Sequence, residues 1–367
     1  MTARVLVSAW IGSTNLGDEL VFAGLRRLLA DRGVAVAAVT LDEHQTRADH
    51  EVATVGHRDI ARLWSVLRTT DALVLGGGGL IQDATSSFNV PYHLARPFAA
   101  DVRGVPWAGI GLGAGPLRGL AARGAVRFLR RAVAVTARHE AAADVLRSCG
   151  VGHVETATDL AFALPARRPA TDDVITVSLR PWAGHFGSRL PVASGRLADT
   201  TPAWYIDQAA AALNKIGGAT GLTIRFVALQ TDRDAAFAEQ IGERLHVAHE
   251  HVMPTLSTVV DEIGRGRIVV AMRYHAAIAA VLTGRPVVVV SYSLKTDRLG
   301  ADLGPAATVI PWRRDALGEL PSAIDTVLGD LADREAAVQQ AAQQLTARGA
   351  VNGAALDRLL EVAVGAH

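Results

Sequence analysis

The stretch RIVVAMRYHAAIAAVLTGRPVVVVSYSLKTDRLGAD, from Arg267 to Asp302, decides the fold of this chain. It holds two apolar runs, Ile268 to Ala271 and Val287 to Ser291, which are typical of buried β-strands. Between them a helical segment opens at His275 and ends at the turn Gly284-Arg285-Pro286. We therefore predict a β–α–β unit with two parallel strands side by side.

Charged side chains follow both predicted strands. Arg273 and His275 come after the first, and Lys295 lies on the loop after the second. In open parallel sheets, ligands bind at the carboxyl ends of the strands. Two cations and an imidazole, which exchanges a proton near neutral pH, predict an anionic substrate and acid–base chemistry.

Lys295 stands out because lysine is rare in this chain. Of 37 basic residues only Lys215 and Lys295 are lysines. Lysine is a compact, tunable point charge and arginine a planar fork, so a lysine in the candidate site favours a chemical role. Chance is the alternative interpretation.

Strand-like runs alternate with helical segments on both sides of the sequence PARRPATD, residues 165–172. This rhythm predicts an α/β fold: two Rossmann-like domains facing a cleft (GT-B-like), with parallel sheets and helices on both faces. We place the N-terminal domain at residues 1–168, on the acceptor side, and the C-terminal domain at 169–330, on the donor side. A helical tail at 331–367 is expected to cross both domains, and Trp182 to Pro202 to form a cleft loop.

Composition excludes several classes of protein. A net charge of +1 argues against a nucleic-acid binder. A single cysteine, Cys149, excludes intramolecular disulfides and favours a reducing compartment. There is no signal peptide and no apolar run of about 18 residues, so we expect no transmembrane segment and a cytoplasmic location.

The first loop, Gly12-Ser-Thr-Asn-Leu-Gly17-Asp18-Glu19, joins the first strand to the first helix. It is not a phosphate-binding P-loop, since Asp-Glu follows Gly17. Carboxylates would repel phosphate and suit hydroxyl groups, so Asp18 or Glu19 is a candidate base beside an acceptor alcohol. The alternative is that both residues complement the helix dipole.

Four glycines, Gly76, Gly77, Gly78 and Gly79, follow the strand DALVL. They predict a turn with unusual dihedral angles or a close backbone approach. The spacing is not that of a dinucleotide site, which disfavours NAD. Arg138 and Arg180 each end a predicted strand and are candidate cations of the cleft; a surface pair is the alternative for Arg138.

Taken in order, the segments STNLGDE, GGGGLIQD, GIGLGAGPL, TATDLAF, VSLRPW and MRYHAAIAAVLTGRPVVVVSYSLKT resemble the polysaccharide pyruvyl transferase family. The resemblance covers about residues 5 to 300. It implies a GT-B-like fold and transfer of a pyruvyl group from phosphoenolpyruvate to sugar hydroxyls. It also implies functional roles for Arg138, His275 and Lys295.

Three positions depart from the family pattern. The family has Asp where this chain has His139, Leu where it has Tyr274, and Asp-Pro where Ser293-Leu294 precede the lysine. These departures concern the acceptor and leave the donor chemistry intact.

The combined prediction assigns His275 as the general acid or base and gives the donor charges to Lys295, Arg138, Arg273 and Arg180. Asn15, Asp18 and Glu19 would face a sugar or lipid-linked glycan acceptor, which would bring the protein to the inner membrane surface. Phosphoenolpyruvate is a co-substrate, and neither a cofactor nor a metal is required, since the cations come from the protein. The alternatives are a GT-B glycosyltransferase with a nucleotide-sugar donor and a non-enzymatic sugar- or anion-binding protein.

Overall fold

The computed structural model describes residues 2–83, 86–181, 202–313 and 315–365. The loop predicted from Trp182 to Pro202 therefore lies, up to Thr201, outside the described residues. The chain forms two compact units. The first comprises Met1–Ser13, Asp18–Leu164 and Leu345–His367, and the second Thr14–Gly17 and Pro165–Gln344.

The first unit is built on one parallel sheet. Its strands are β1 (Arg4–Ser8), β2 (Ala35–Thr40), β3 (Ala53–Gly56), β4 (Ala72–Leu75), β5 (Gly78–Ile81), β6 (Trp107–Ala114), β7 (Val135–Ala137) and β8 (Val154–Thr156). Its helices are α1 (Leu16–Ala30), α2 (Glu43–His50), α3 (Ile60–Val66), α4 (Asn89–Val102), α5 (Leu120–Val126) and α6 (Glu140–Ser148). The strand order is β3-β2-β1-β4-β6-β7-β8, with β5 against β6.

Apolar side chains on both faces explain why this sheet is buried. In β1, Leu6 packs into one core layer, while Val5 and Val7 pack into the other because neighbouring strand residues point to opposite faces. The second layer is completed by Leu356 and Leu359 from the C-terminal segment. A parallel sheet requires such cover on both sides.

The second unit repeats the design. Its strands are β9 (Val174–Ser178), β10 (Thr223–Val227), β11 (His249–Val252), β12 (Ile268–Ala271), β13 (Val287–Ser291) and β14 (Ala307–Pro311), in the order β11-β10-β9-β12-β13-β14. Its helices are α7 (Pro202–Thr220), α8 (Thr231–Gly242), α9 (Val259–Gly264), α10 (Tyr274–Leu282), α11 (Leu294–Leu303) and α12 (Leu320–Gly329); α13 (Leu331–Gly365) starts here.

Both sheets follow the Rossmann strand order 3-2-1-4-5-6. In this order the chain first adds strands on one side of the first strand and then, from the fourth strand on, adds them on the other side. The crevice at this reversal, the switch point, is where doubly wound sheets bind ligands. In the first unit it lies between β1 and β4, and in the second between β9 and β12.

One local prediction is wrong. Lys295 was expected on a loop, but it lies in the first turn of α11. The glycine run was expected to form a turn with unusual dihedral angles or a close backbone approach; Gly78 has φ of +98° and, with Gly79, opens strand β5, which pairs with β6. Among the helices in the described ranges, none has both the length and the apolar character to cross a membrane.

Candidate functional site

The switch point of the second unit gathers four of the five basic side chains singled out from the sequence. Strands β9, β12 and β13 are neighbours with parallel register, so their carboxyl ends lie side by side. Arg180 follows β9, Arg273 and His275 follow β12, and Tyr292 and Lys295 follow β13. Three separate chain segments thus deliver charged or polar groups to one edge of the sheet.

Arg180 and Tyr292 form the centre of this group. The guanidinium of Arg180 donates through Nη1 to the Tyr292 hydroxyl, and its central carbon lies 4.6 Å from the centroid of the Tyr292 ring. Burial raises the pKa of Tyr292, but the charges of Lys295, Arg180 and Arg273 and the hydrogen bond from Arg180 outweigh it and lower that pKa to about 8. Burial lowers the pKa of Arg180, while Tyr292 raises it. Three cations thus act on one hydroxyl, which favours an anion there.

Arg273 is held by an acidic partner. Its Nε donates to Asp234 Oδ2 at 2.8 Å, its Nη2 donates to the other carboxylate oxygen, and Nη2 also donates to Gln230 Oε1 at 3.1 Å. Asp234 is buried and accepts a further bond from the backbone amide of Gln230. A bidentate pair of this kind fixes the loop before α8, so Arg273 has a structural partner in addition to any ligand.

His275 is the second residue of α10 and is 8% exposed. Gly17 lies against its ring: a Cβ atom at position 17 would stand 2.3 Å from His275 Nδ1. A side chain at position 17 would therefore displace the imidazole.

Hydrogen bonds join residues 14–17 to the segment of the second unit that follows β10. Leu16 donates its amide to the Leu229 carbonyl at 2.8 Å, Asn15 forms an antiparallel bridge with Gln230, and Thr14 Oγ1 donates to Asp232 at 3.0 Å. The side chain of Asn15 also accepts a bond from the Gly17 amide. Asn15, predicted on the acceptor side, is thus brought to the same unit as His275.

Lys295 is exposed and lies in the first turn of α11, whose start is fixed by a capping box. Ser293 occupies the N-cap, and its amide donates to Thr296 Oγ1 at 3.2 Å. Ser291 Oγ donates to Asp297 at 2.6 Å. The lysine ammonium and the N-terminal end of α11 both favour a negative charge.

In the first unit, Arg138 follows β7 and is 6% exposed. Its Nη1 donates to Asp159 Oδ2 at 3.2 Å, and Asp159 caps a short 3₁₀ turn by accepting from the Ala161 amide. A Cβ atom at Gly113 would lie 2.8 Å from the Arg138 guanidinium carbon. Arg138 therefore forms a buried ion pair and packs against the backbone of β6, where Gly113 has no side chain. The surface pair considered from the sequence is wrong.

The residue after Arg138 caps a helix. His139 occupies the N-cap of α6, where its Nδ1 accepts from the Ala142 amide at 3.0 Å. An acceptor nitrogen carries no proton, so this bond requires the neutral imidazole with hydrogen on Nε2. Asp, which the family has here, would accept the same bond.

A buried polar chain ties the Arg138 strand to α13. Thr136 receives a bond from the Gly111 amide and donates to Asn352 Oδ1 at 2.6 Å. The Asn352 amide donates to the Thr158 carbonyl at 3.0 Å, next to Asp159. Asn352 had no local sequence signal, because its partners lie about 200 residues away along the chain.

Glu19 anchors the first loop. Its Oε1 accepts from the amides of Gly12 and Ser13 at 2.9 and 3.0 Å, and its Oε2 lies 2.9 Å from His50 Nε2. Both Glu19 and His50 are buried. Gly12 itself has φ of +74°, a conformation that favours glycine. Asp18, by contrast, is partly exposed.

The glycine run mainly serves close packing. A Cβ atom at Gly76 or Gly77 would press on apolar side chains of α1, Leu25 and Val21 respectively. Gly78 has φ of +98°, and Gly79 has no close neighbour. The close approach predicted for this run is thus made at Gly76 and Gly77 by the protein itself.

An aromatic cluster at the carboxyl edge of the first sheet was not anticipated. Trp10, 39% exposed, lies edge-on to Tyr92 and His93, and His57 Nδ1 lies 2.8 Å from the Tyr92 hydroxyl. Arg96 stacks 4.0 Å from the Tyr92 ring centroid. Burial, with help from Arg96, lowers the pKa of His93 to about 4. The cluster is a rigid aromatic platform with polar edges.

No group of three or more His, Cys, Asp or Glu side chains is arranged to hold a metal ion in the part of the chain that the structure describes.

Solved structures share the fold over nearly the whole chain. A UDP-GlcNAc 2-epimerase from Neisseria meningitidis bound to UDP-GlcNAc has 13% identity and a TM-score of 0.61, covering 98% of this chain and 100% of its own. The calicheamicin glycosyltransferase CalG4 has 13% identity and a TM-score of 0.54, with 99% and 98% covered. A glycosyltransferase from Rickettsia africae has 9% identity and a TM-score of 0.59, with 99% and 98% covered.

The predicted GT-B-like fold class is therefore confirmed: two Rossmann-like units with parallel sheets. A sequence model of the polysaccharide pyruvyl transferase family matches residues 15–293. The chain belongs to that family, as its sequence motifs predicted. No curated protein sequence matches it.

Proposed function

We propose that this protein transfers the pyruvyl group of phosphoenolpyruvate to two hydroxyls of a sugar or glycan, forming a pyruvate ketal and releasing phosphate. The observation that carries the proposal is the cluster of Arg180, Arg273 and Lys295 around one hydroxyl, with the buried His275 two residues after Arg273 in the chain. Phosphoenolpyruvate bears a phosphate and a carboxylate, so its site needs several cations. Membership of the pyruvyl transferase family supports this donor.

In the proposed reaction, an acceptor hydroxyl adds to the enol carbon while the methylene carbon takes a proton and becomes a methyl group. A second hydroxyl then displaces phosphate and closes the ketal ring. One hydroxyl proton replaces the proton delivered to carbon, and the other leaves with phosphate. His275 carries these protons, and Lys295 and Arg180 stabilise the departing charge.

Arg273 helps chiefly through its field, because Asp234 already engages its guanidinium. Arg138 in the first unit keeps the donor-binding role that the family resemblance implies. Its buried pairing with Asp159 holds the side chain in one conformation, which lowers the entropy cost of contacting an anion.

On the acceptor side, the proposal assigns Asn15 and Asp18 to hydroxyl groups. Glu19 supports the loop, because both of its carboxylate oxygens are engaged. The aromatic cluster of Trp10, Tyr92 and His57 suits a sugar ring, since aromatic faces pack against apolar C–H groups and the polar edges can bind hydroxyls.

The test is phosphate release from phosphoenolpyruvate with a panel of glycan acceptors, read together with the mass gain of a pyruvate ketal. His275→Gln should lower kcat by about 10²- to 10⁴-fold, the usual contribution of a general acid or base. His246→Gln is the matched control, because His246 is exposed in the same unit. A His275→Gln enzyme as fast as the parent would refute the assignment.

The same assay separates the alternatives. A nucleotide-sugar glycosyltransferase would release nucleotide from UDP-glucose and leave phosphoenolpyruvate intact. A non-enzymatic binding protein would release neither product, and its ligand affinity would be indifferent to His275→Gln.

A further inference from the structure

The Tyr292 hydroxyl engages one of the cations assigned to the donor. It accepts the Nη1 hydrogen bond of Arg180, and the Tyr292 ring packs beside the same guanidinium. Sequence motifs assigned roles to Arg180 and Lys295 but none to the tyrosine between them.

Among the described residues, three cations act on the pKa of Tyr292, and all three lower it. Arg180 from the end of β9, Arg273 from the start of α10 and Lys295 from α11 all favour the ionised hydroxyl. Asp234 of α8 forms a bidentate pair with Arg273 and offsets part of the charge of that arginine. Tyr205, the other tyrosine near Arg180, has its pKa raised by burial and stays neutral.

We propose that Tyr292 is a positioning residue that competes with the anionic donor for the guanidinium of Arg180, so that tight donor binding requires a protonated Tyr292. This inference rests on the proposed function, because it takes phosphoenolpyruvate as the anion. When the donor takes the Arg180 N–H group, the phenolate loses its hydrogen-bond donor and gains a negative neighbour. Its pKa rises, and it takes a proton from solvent.

The sign of the pH dependence follows from this linkage. Below about pH 8 Tyr292 is protonated, and donor binding requires no proton uptake. Above that pH the phenolate must be protonated as the donor binds, so affinity falls with rising pH until the pKa of the complex is reached. Phosphate monoesters lose their second proton near about pH 6, so the donor's own charge stays nearly constant over this interval.

The experiment measures the Kd of phosphoenolpyruvate by calorimetry at several pH values. For the parent protein, Kd should rise about tenfold between roughly pH 7 and pH 9, since one pKa unit corresponds to a factor of ten. Tyr292→Phe keeps the ring but removes the hydroxyl, and its Kd should be flat over the same range. Tyr205→Phe, which removes a hydroxyl that contacts only the Met272 sulfur among the contacts resolved for it, should follow the parent.

A second readout is spectroscopic. Adding phosphoenolpyruvate above about pH 8 should reduce the near-ultraviolet absorption of tyrosinate in the parent and in Tyr205→Phe, but not in Tyr292→Phe. A tyrosine that only braces the fold would shift Kd equally at every pH.

A flat profile in the parent, or a Tyr292→Phe profile parallel to it, would overturn the inference while leaving the proposed function standing. Failure of the parent to bind phosphoenolpyruvate at any pH would overturn both.

Discussion

Gly17 sets how closely the chain approaches the imidazole of His275. It is the second residue of α1, yet it belongs with the second unit, where residues 14–17 are fixed behind β10. Its lack of a side chain leaves room for the ring, because a Cβ atom would stand 2.3 Å from Nδ1. This contact makes a single methyl group a sensitive probe of the imidazole position.

We expect Gly17→Ala to lower kcat by about 10²-fold, since small displacements of a reacting group have costs of that order. Thermal stability should fall only modestly, because alanine favours the helix. Steady-state phosphate release and thermal unfolding measure the two effects.

Gly218→Ala is the matched control. Gly218 lies in α7, and a Cβ atom there would meet nothing within 4 Å. Its activity should equal that of the parent, with a small gain in stability. Equal activity of Gly17→Ala and the parent would show that the imidazole tolerates displacement.

At the scale of single helices, two departures from the family sequence have one explanation. His139 and Ser293 stand where the family has Asp, and each occupies the N-cap of a helix, α6 and α11. Side chains that accept a hydrogen bond are favoured there because the first backbone amides of a helix lack partners. His139 meets this requirement by accepting the Ala142 amide, and Ser293 meets it together with Thr296 in a capping box.

His139→Asp should therefore keep the stability of the parent, whereas His139→Ala should lose about 1 kcal/mol, the usual value of a helix cap. Urea unfolding of the three proteins measures both effects. A His139→Ala protein as stable as the parent would contradict the capping role.

Edge strands give a weaker sequence signal than central strands in this fold. Strands β3 and β11 lie at the edges of their sheets, and β11, His249–Val252, has no fully buried residue. A strand without fully buried residues has no apolar run from which it can be predicted. Lys295 was misplaced because the cap at Ser293 starts a helix immediately after β13.

At the scale of the whole molecule, each unit contains residues from distant parts of the chain. The alternating pattern predicted the fold class because central parallel strands must be apolar on both faces. Long-range polar contacts such as Glu19 with His50, or Asn352 with Thr136, follow no such period and were not predicted. The catalytic assignment of His275 and the donor-binding assignments of Arg138 and Lys295 stay predictions.

The contribution of α13 to the first unit can be tested with one buried residue. Leu356 is fully buried in the core layer that contains Val5 and Val7. Leu356→Ala should destabilise this unit by about 2–5 kcal/mol. Val364→Ala on the same helix is the control, because Val364 is 67% exposed.

Amide hydrogen exchange of β1 and β4 reports on the first unit directly. These amides should exchange faster in Leu356→Ala and at the parental rate in Val364→Ala. Unchanged exchange in both variants would mean that the core of the first unit does not depend on α13.

The position of α13 at the end of the chain affects how the first unit folds during synthesis. The first unit receives core residues such as Leu356 and the buried Asn352 only after the second unit has been synthesised. At about 5–20 residues per second, the intervening segment delays completion by roughly 10–40 s. During this interval a ribosome-bound chain contains all strands of the first sheet. The apolar face around Val5 and Val7, however, is not yet covered by α13. We therefore expect chaperones that shield nascent apolar surface to bind this face until α13 is synthesised.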